Sequence, residues 1–101
     1  MGNQKMKLPP TVKREVLVTK PDCALVRMTV KAGTIPPQHN HPQAQIDYLI
    51  SGCADVNVAG TITHLEPGES IYIPAGVTHG FLVSEADQEF LEFFVPGRDD
   101  F

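Results

Sequence analysis

Residues 33–52 read Gly33-Thr34-Ile35-Pro36-Pro37-Gln38-His39-Asn40-His41-Pro42-Gln43-Ala44-Gln45-Ile46-Asp47-Tyr48-Leu49-Ile50-Ser51-Gly52. A glycine and two prolines open a turn, and the stretch then runs extended to a closing glycine. Side chains alternate faces along an extended chain, so positions 39, 41 and 45 can point the same way. Two imidazoles and an amide oxygen converging on one point suit a divalent metal of intermediate softness. A fourth ligand is offered by a second stretch holding Gly68, Pro74, Gly76 and His79. A single histidine at such a place is more often a hydrogen-bonded core residue. Three at these spacings favour a metal.

Working outward, the chain is a string of short β-type runs. The expected strands are Val12–Thr19, Ala24–Val30, 45–51, Ala54–Val58, Thr61–Leu65, Ser70–Ile73, 79–83 and 89–95. Lys20-Pro21-Asp22, Gly60 and Glu66-Pro67-Gly68-Glu69 supply turns between them. On Ala24–Val30, Ala24, Val26, Met28 and Val30 share one face at period two. No window shows helical periodicity with caps. Many short strands at turn spacings of this kind predict an all-β fold, a small antiparallel barrel or jelly roll.

The totals set bounds on function. A chain of 101 residues is one ordinary domain. Residues 1–10 read as a flexible tail or crossing arm, because Pro9-Pro10 fits neither a helix nor a sheet interior. Residues 11–101 form the single barrel domain. A net charge of −4 argues against a nucleic-acid partner, which needs a clustered basic surface. Every lysine and arginine except Arg98 precedes residue 32, so a lone cation sits in an acidic C-terminal half. No apolar run approaches the roughly 18 residues of a membrane span, and no signal-peptide core is present. A cytoplasmic protein is expected. Cys23 and Cys53 lack a close spacing and read as small apolar residues rather than a disulfide or ligand pair.

With spacings, the two stretches are Gly33-x5-His39-x-His41-x3-Gln45-x6-Gly52 and Gly68-x5-Pro74-x-Gly76-x2-His79. Together they resemble the two motifs of the cupin superfamily, over residues 33–83. The resemblance implies a small antiparallel barrel that holds a metal on His39, His41, Gln45 and His79. Two positions depart from the pattern: Gln45 stands where the first motif usually has Glu, and Val83 where the second usually has Asn. Inward-facing histidines in a closed barrel are costly without partners, and a metal resolves that cost.

Gln45 carries mechanistic information. Three neutral imidazoles and a neutral amide leave the charge of a divalent ion uncompensated. Such a centre attracts an anionic substrate and acts as a Lewis acid, which moves the expectation away from redox chemistry. One divalent transition ion is expected, with nickel, zinc, manganese, iron and copper all open.

Residues 89–98 read Glu-Phe-Leu-Glu-Phe-Phe-Val-Pro-Gly-Arg. On a strand Phe90, Glu92 and Phe94 share a face, an acid between two aromatic rings. If they face inward, desolvation raises the pKa of Glu92 and fits it for proton transfer. If they face outward, Leu91, Phe93 and Val95 form the core. The pattern alone leaves both open. Gln45-Ile46 together with the ending Glu92-x-Phe94-x-Pro96-x-Arg98 looks like the KdgF family of cupins, which carries Asp where this chain has Glu92. That resemblance implies linearisation of 4,5-unsaturated uronates from pectin or alginate breakdown. It places Glu92 and Arg98 in catalysis, and Phe94 and Arg98 against a small acidic substrate. Phe81 would help shape the pocket, and Asp47 would orient a ligand or a substrate hydroxyl, or else lie on the surface. A homodimer through edge strands is implied by similarity. Two other function classes fit the same motifs: a metal-dependent dioxygenase, which Gln45 suits poorly, and a non-catalytic module that binds sugar or metal.

Overall fold

The structure is a computed structural model and describes residues 8–98. Eight strands follow in order: β1 Val12–Thr19, β2 Ala24–Val30, β3 Ala44–Ser51, β4 Ala54–Val58, β5 Thr61–Leu65, β6 Ser70–Ile73, β7 His79–Phe81 and β8 Gln88–Val95. They form a five-stranded sheet in the order β1-β2-β8-β3-β6 and a three-stranded sheet in the order β5-β4-β7. The pairings within them are antiparallel. The all-β jelly-roll expectation is met. No helix among the described residues is long and apolar enough to cross a membrane.

Period-two patterning explains which face is buried. Ala24, Val26, Met28 and Val30 of β2 are all buried, and they join Leu49, Ala54, Val56, Leu65, Phe90 and Phe94 in one core between the sheets. Phe90 is fully buried, a burial that contributes about 1.5–3 kcal/mol. It stacks on Phe81 with ring centroids 4.2 Å apart. On β8 the inward face is therefore Phe90, Glu92 and Phe94, whereas Phe93 and Val95 point outward. The pattern that left two orientations open is decided by the neighbouring strands: Phe90 pairs with Met28 and Leu49, both buried.

The strand expected over 79–83 is shorter. Leu82 N still reaches Asp55 O at 2.9 Å, but β7 ends at Phe81 and Val83 is exposed. Residues 1–7 of the expected tail, and 99–101 at the other end, lie outside the described residues. Leu8 and Pro9 are described, and both border the central cavity. Cys23 and Cys53 are free thiols, each half-buried.

Gly52 joins β3 to β4 with φ 87°, and a Cβ there would lie 2.2 Å from the Asp87 carbonyl oxygen. Gly60, with φ 94°, has open space around the same position. Gly52→Ala therefore meets both backbone strain and a clash, while Gly60→Ala meets strain alone, of about 1–3 kcal/mol. The expected result in urea unfolding is a lower midpoint for Gly52→Ala than for Gly60→Ala. Equal midpoints would show that the 52–87 approach relaxes freely.

Candidate metal centre

Backbone ladders bring the two motif stretches together before any side chain is considered. His39 and His79 form an antiparallel bridge, with His39 N to His79 O at 2.9 Å and His79 N to His39 O at 2.8 Å. Gly76 N donates to His41 O at 2.9 Å, which holds the second histidine alongside. The three imidazoles consequently cluster, with ring centroids 4.5 Å apart for His39–His79, 4.8 Å for His41–His79 and 5.6 Å for His39–His41. One nitrogen from each lies within 4.8 Å of the others, a group that could hold a metal ion.

The protonation pattern fits that use. Each Nδ1 faces a backbone carbonyl: His39 to Pro37 at 3.3 Å, His41 to Gln43 at 3.0 Å, and His79 to Val77 at 3.0 Å. Those carbonyls favour the Nδ1–H tautomer and leave the Nε2 lone pairs turned inward. His79 Nε2 is buried without a hydrogen-bond partner among the described residues. Burial is the largest influence on all three rings and lowers their pKa values, which keeps the imidazoles neutral and able to ligate. The Arg98 guanidinium lowers all three further.

Gln45, the second residue of β3, lies beside this cluster, its Oε1 2.9 Å from His41 Nε2 and its Nε2 donating to Asp47 Oδ1 at 2.7 Å. Asp47 thus holds the amide with its oxygen towards the imidazoles. In this orientation a neutral His41 has one proton for two acceptor oxygens, Gln43 O and Gln45 Oε1. A cation shared by Nε2 and Oε1 resolves the mismatch. The fourth histidine, His64, is elsewhere: on exposed β5 it bonds Asp55 through Nδ1 at 2.8 Å and Glu66 through Nε2.

The cavity beside the cluster is lined by His39, Gln45, Asp47, His79, Glu92 and Arg98, among others. Asp47 is fully buried, which excludes the surface alternative, and its Oδ2 has no hydrogen-bond partner among the described residues. Asp47 and Glu92 are cross-strand partners. Burial, followed by the nearby Glu92 charge, raises the Asp47 pKa well above the ordinary carboxylate range. Burial likewise raises Glu92 to about 7, with Arg14 and then Arg98 pulling the other way. Arg98 is buried, its guanidinium carbon 4.9 Å from the Phe94 ring centre, and its carbonyl accepts Thr19 Oγ1 at 3.3 Å. Phe94 meets His41 edge-on at 5.6 Å, and Phe81 borders the cavity while stacking on Phe90.

The cupin domain family matches residues 26–95. This chain is a cupin. Among solved structures, KdgF from Halomonas sp. is 28% identical with a TM-score of 0.85, covering 94% of this chain and 87% of that one. An RmlC-like cupin from Shewanella frigidimarina is 27% identical with a TM-score of 0.86, covering 99% and 91%. An uncharacterized protein of Streptomyces coelicolor is 35% identical over 65 residues, 64% of this cupin and 62% of the relative. This cupin therefore spans about three-fifths of that relative's length.

All nine residues singled out in the sequence lie at or beside the cluster: His39, His41, Gln45, Asp47, His79, Phe81, Glu92, Phe94 and Arg98. Sequence reading passed over Arg14, which lines the cavity from β1. The missed signal was there. Val12, Arg14 and Val16 alternate as Phe90, Glu92 and Phe94 do, a charge between apolar residues on one face.

Proposed function

We propose that this cupin linearises a 4,5-unsaturated uronate, acting in the cytoplasm as a homodimer on one small acidic sugar at a time. The observation that carries the proposal is a buried acid, Glu92, and a buried guanidinium, Arg98, facing one cavity with His39 and His79 of the three-imidazole cluster. The similarity to KdgF supports it. Edge strand β1 exposes Val16, Leu17 and Val18, which favours pairing of two copies.

His39, His41, Gln45 and His79 would hold a divalent ion, which when bound polarises a substrate oxygen as a Lewis acid. Arg98 holds the sugar carboxylate through paired, charge-assisted hydrogen bonds, braced on the Phe94 ring. Glu92 takes the proton from the anomeric hydroxyl. The C1–O bond of the ring breaks with its electron pair left on the ring oxygen, and C1 becomes the aldehyde. The resulting enol system takes a proton at C4 from the same carboxyl, giving the linear ketone. No atom is gained or lost, so one acid that both accepts and returns a proton is enough. A group raised to about 7 is balanced for both steps at neutral pH.

The direct test is loss of the enol absorbance of unsaturated galacturonate on adding metal-loaded protein. Arg98→Ala is expected to lower kcat/KM by on the order of 10²-fold, the loss of two hydrogen bonds to a charged group. Binding of the sugar without turnover would make this a sensor module. Oxygen uptake on adding substrate would make it an oxygenase.

A further inference from the structure

A second guanidinium reaches the cavity from the edge of the large sheet. Arg14 is half-buried on β1 and borders the same space as His39, Glu92 and Arg98. Strand register and ring contacts locate the two arginines. Arg14 pairs with Met28 of β2, and Met28 pairs with Phe90, which shares the inward face of β8 with Glu92. The Arg98 guanidinium carbon lies 4.9 Å from the centre of the Phe94 ring, and that ring meets His41 edge-on. Arg98 therefore enters the cavity beside Phe94 and the imidazoles, and Arg14 enters it from the edge strand. A ligand in that cavity meets two guanidiniums.

One carboxylate uses one of them. We propose that Arg14 is a second oxyanion-binding residue, which with Arg98 selects a ligand bearing negative oxygens on two adjacent carbons. The inference rests on the linearisation reading and deepens it. In that reaction the ground-state sugar carries only its carboxylate. When the C1–O bond breaks, the electron pair stays on the oxygen of C5, the carbon next to the carboxylate carbon. The second charge thus arises on an adjacent carbon, and only during the reaction. A cation held there stabilises the transition state more than the bound substrate. Two arginines, rather than the single cation of the C-terminal segment, match that requirement.

The test compares oxalate, with oxyanions on adjacent carbons, against pyruvate, which replaces one by a neutral carbonyl. Dissociation constants are measured by calorimetry on metal-loaded protein, with metal content checked after each titration. Oxalate also meets the ion in any variant, so the informative quantity is the oxalate-to-pyruvate preference. Arg14→Ala is expected to reduce that preference about tenfold or more, by weakening oxalate and leaving pyruvate nearly unchanged. Arg14→Gln repeats the measurement if the alanine variant does not fold, and Arg14→Lys should keep part of the preference as a point charge. In turnover of unsaturated galacturonate, Arg14→Ala should lower kcat with KM little changed. An unaltered preference, or equal weakening of both ligands, would overturn the assignment. If wild-type protein does not turn over the sugar but its preference depends on Arg14, the linearisation reading fails and the subsite stands. Turnover with an Arg14-independent preference removes the subsite alone.

Discussion

Glu92→Gln is expected to slow conversion of unsaturated galacturonate by 10²–10⁴-fold while leaving the bound metal in place. Glutamine keeps the shape and cannot take up or return a proton. Glu92 is not among the proposed ligands, so metal content should match wild type. A variant retaining most of its rate would remove Glu92 from the chemistry.

The same substitution has a second, opposite consequence that involves no substrate. Burial raises the folded-state pKa of Glu92 to about 7 from an ordinary 4.5. A carboxyl raised in this way binds more protons folded than unfolded. Its contribution to stability is full below its unfolded pKa and is lost as pH rises through the folded one. Metal-free wild type should therefore lose stability between about pH 4.5 and 7 on account of this residue. Asp47, also raised by burial, acts in the same direction. At pH 8, metal-free Glu92→Gln should melt above wild type, by an amount that vanishes towards pH 4. A variant that loses activity and gains alkaline stability marks a residue kept for chemistry rather than for folding.

Particular residues show why the sequence was legible where it was. The strand ladder could be read because turn residues punctuate it and because β2 buries every second side chain, Ala24 to Val30. The three-histidine cluster could be read because its histidines sit at short spacings in two stretches, and Gln45 follows on the same strand face. Glu92 was ambiguous for a physical reason. Both faces of β8 carry large apolar side chains, so the pattern along one strand could not say which was inside. The answer lay in cross-strand partners, Val26 and Asp47, which are distant in sequence. Arg14 was lost among neighbouring charges on a strand whose outer face is exposed. The shortened β7 reflects where its ladder with β4 ends, again a property of the partner strand.

His79→Ala is expected to weaken metal retention severely, and lowering the pH should release the ion reversibly in the wild type. His79 has the strongest claim among the three rings. Its Nε2 is buried without a partner among the described residues, and its backbone bridges His39, so its loss would remove a ligand while the ladder persists. Alanine leaves two imidazoles and an amide, and affinity should fall by 100-fold or about that order, measured by competition with a chromophoric chelator. The pH arm follows from the signs. Burial lowers all three histidine pKa values from 6.5 in the metal-free fold, so protons begin to compete only below that point. Each ligand then costs up to about tenfold in affinity per pH unit once it is protonated, and three together make release steep. The same lowered values mean that metal-free protein is most stable above pH 6.5 with respect to these rings. It loses that stability as pH falls through their folded values. His64→Ala is the control: it lies on exposed β5 with Asp55 and Glu66 and should leave the release curve where it was. A release curve that moves with His64 and not with His79 would place the ion outside the barrel.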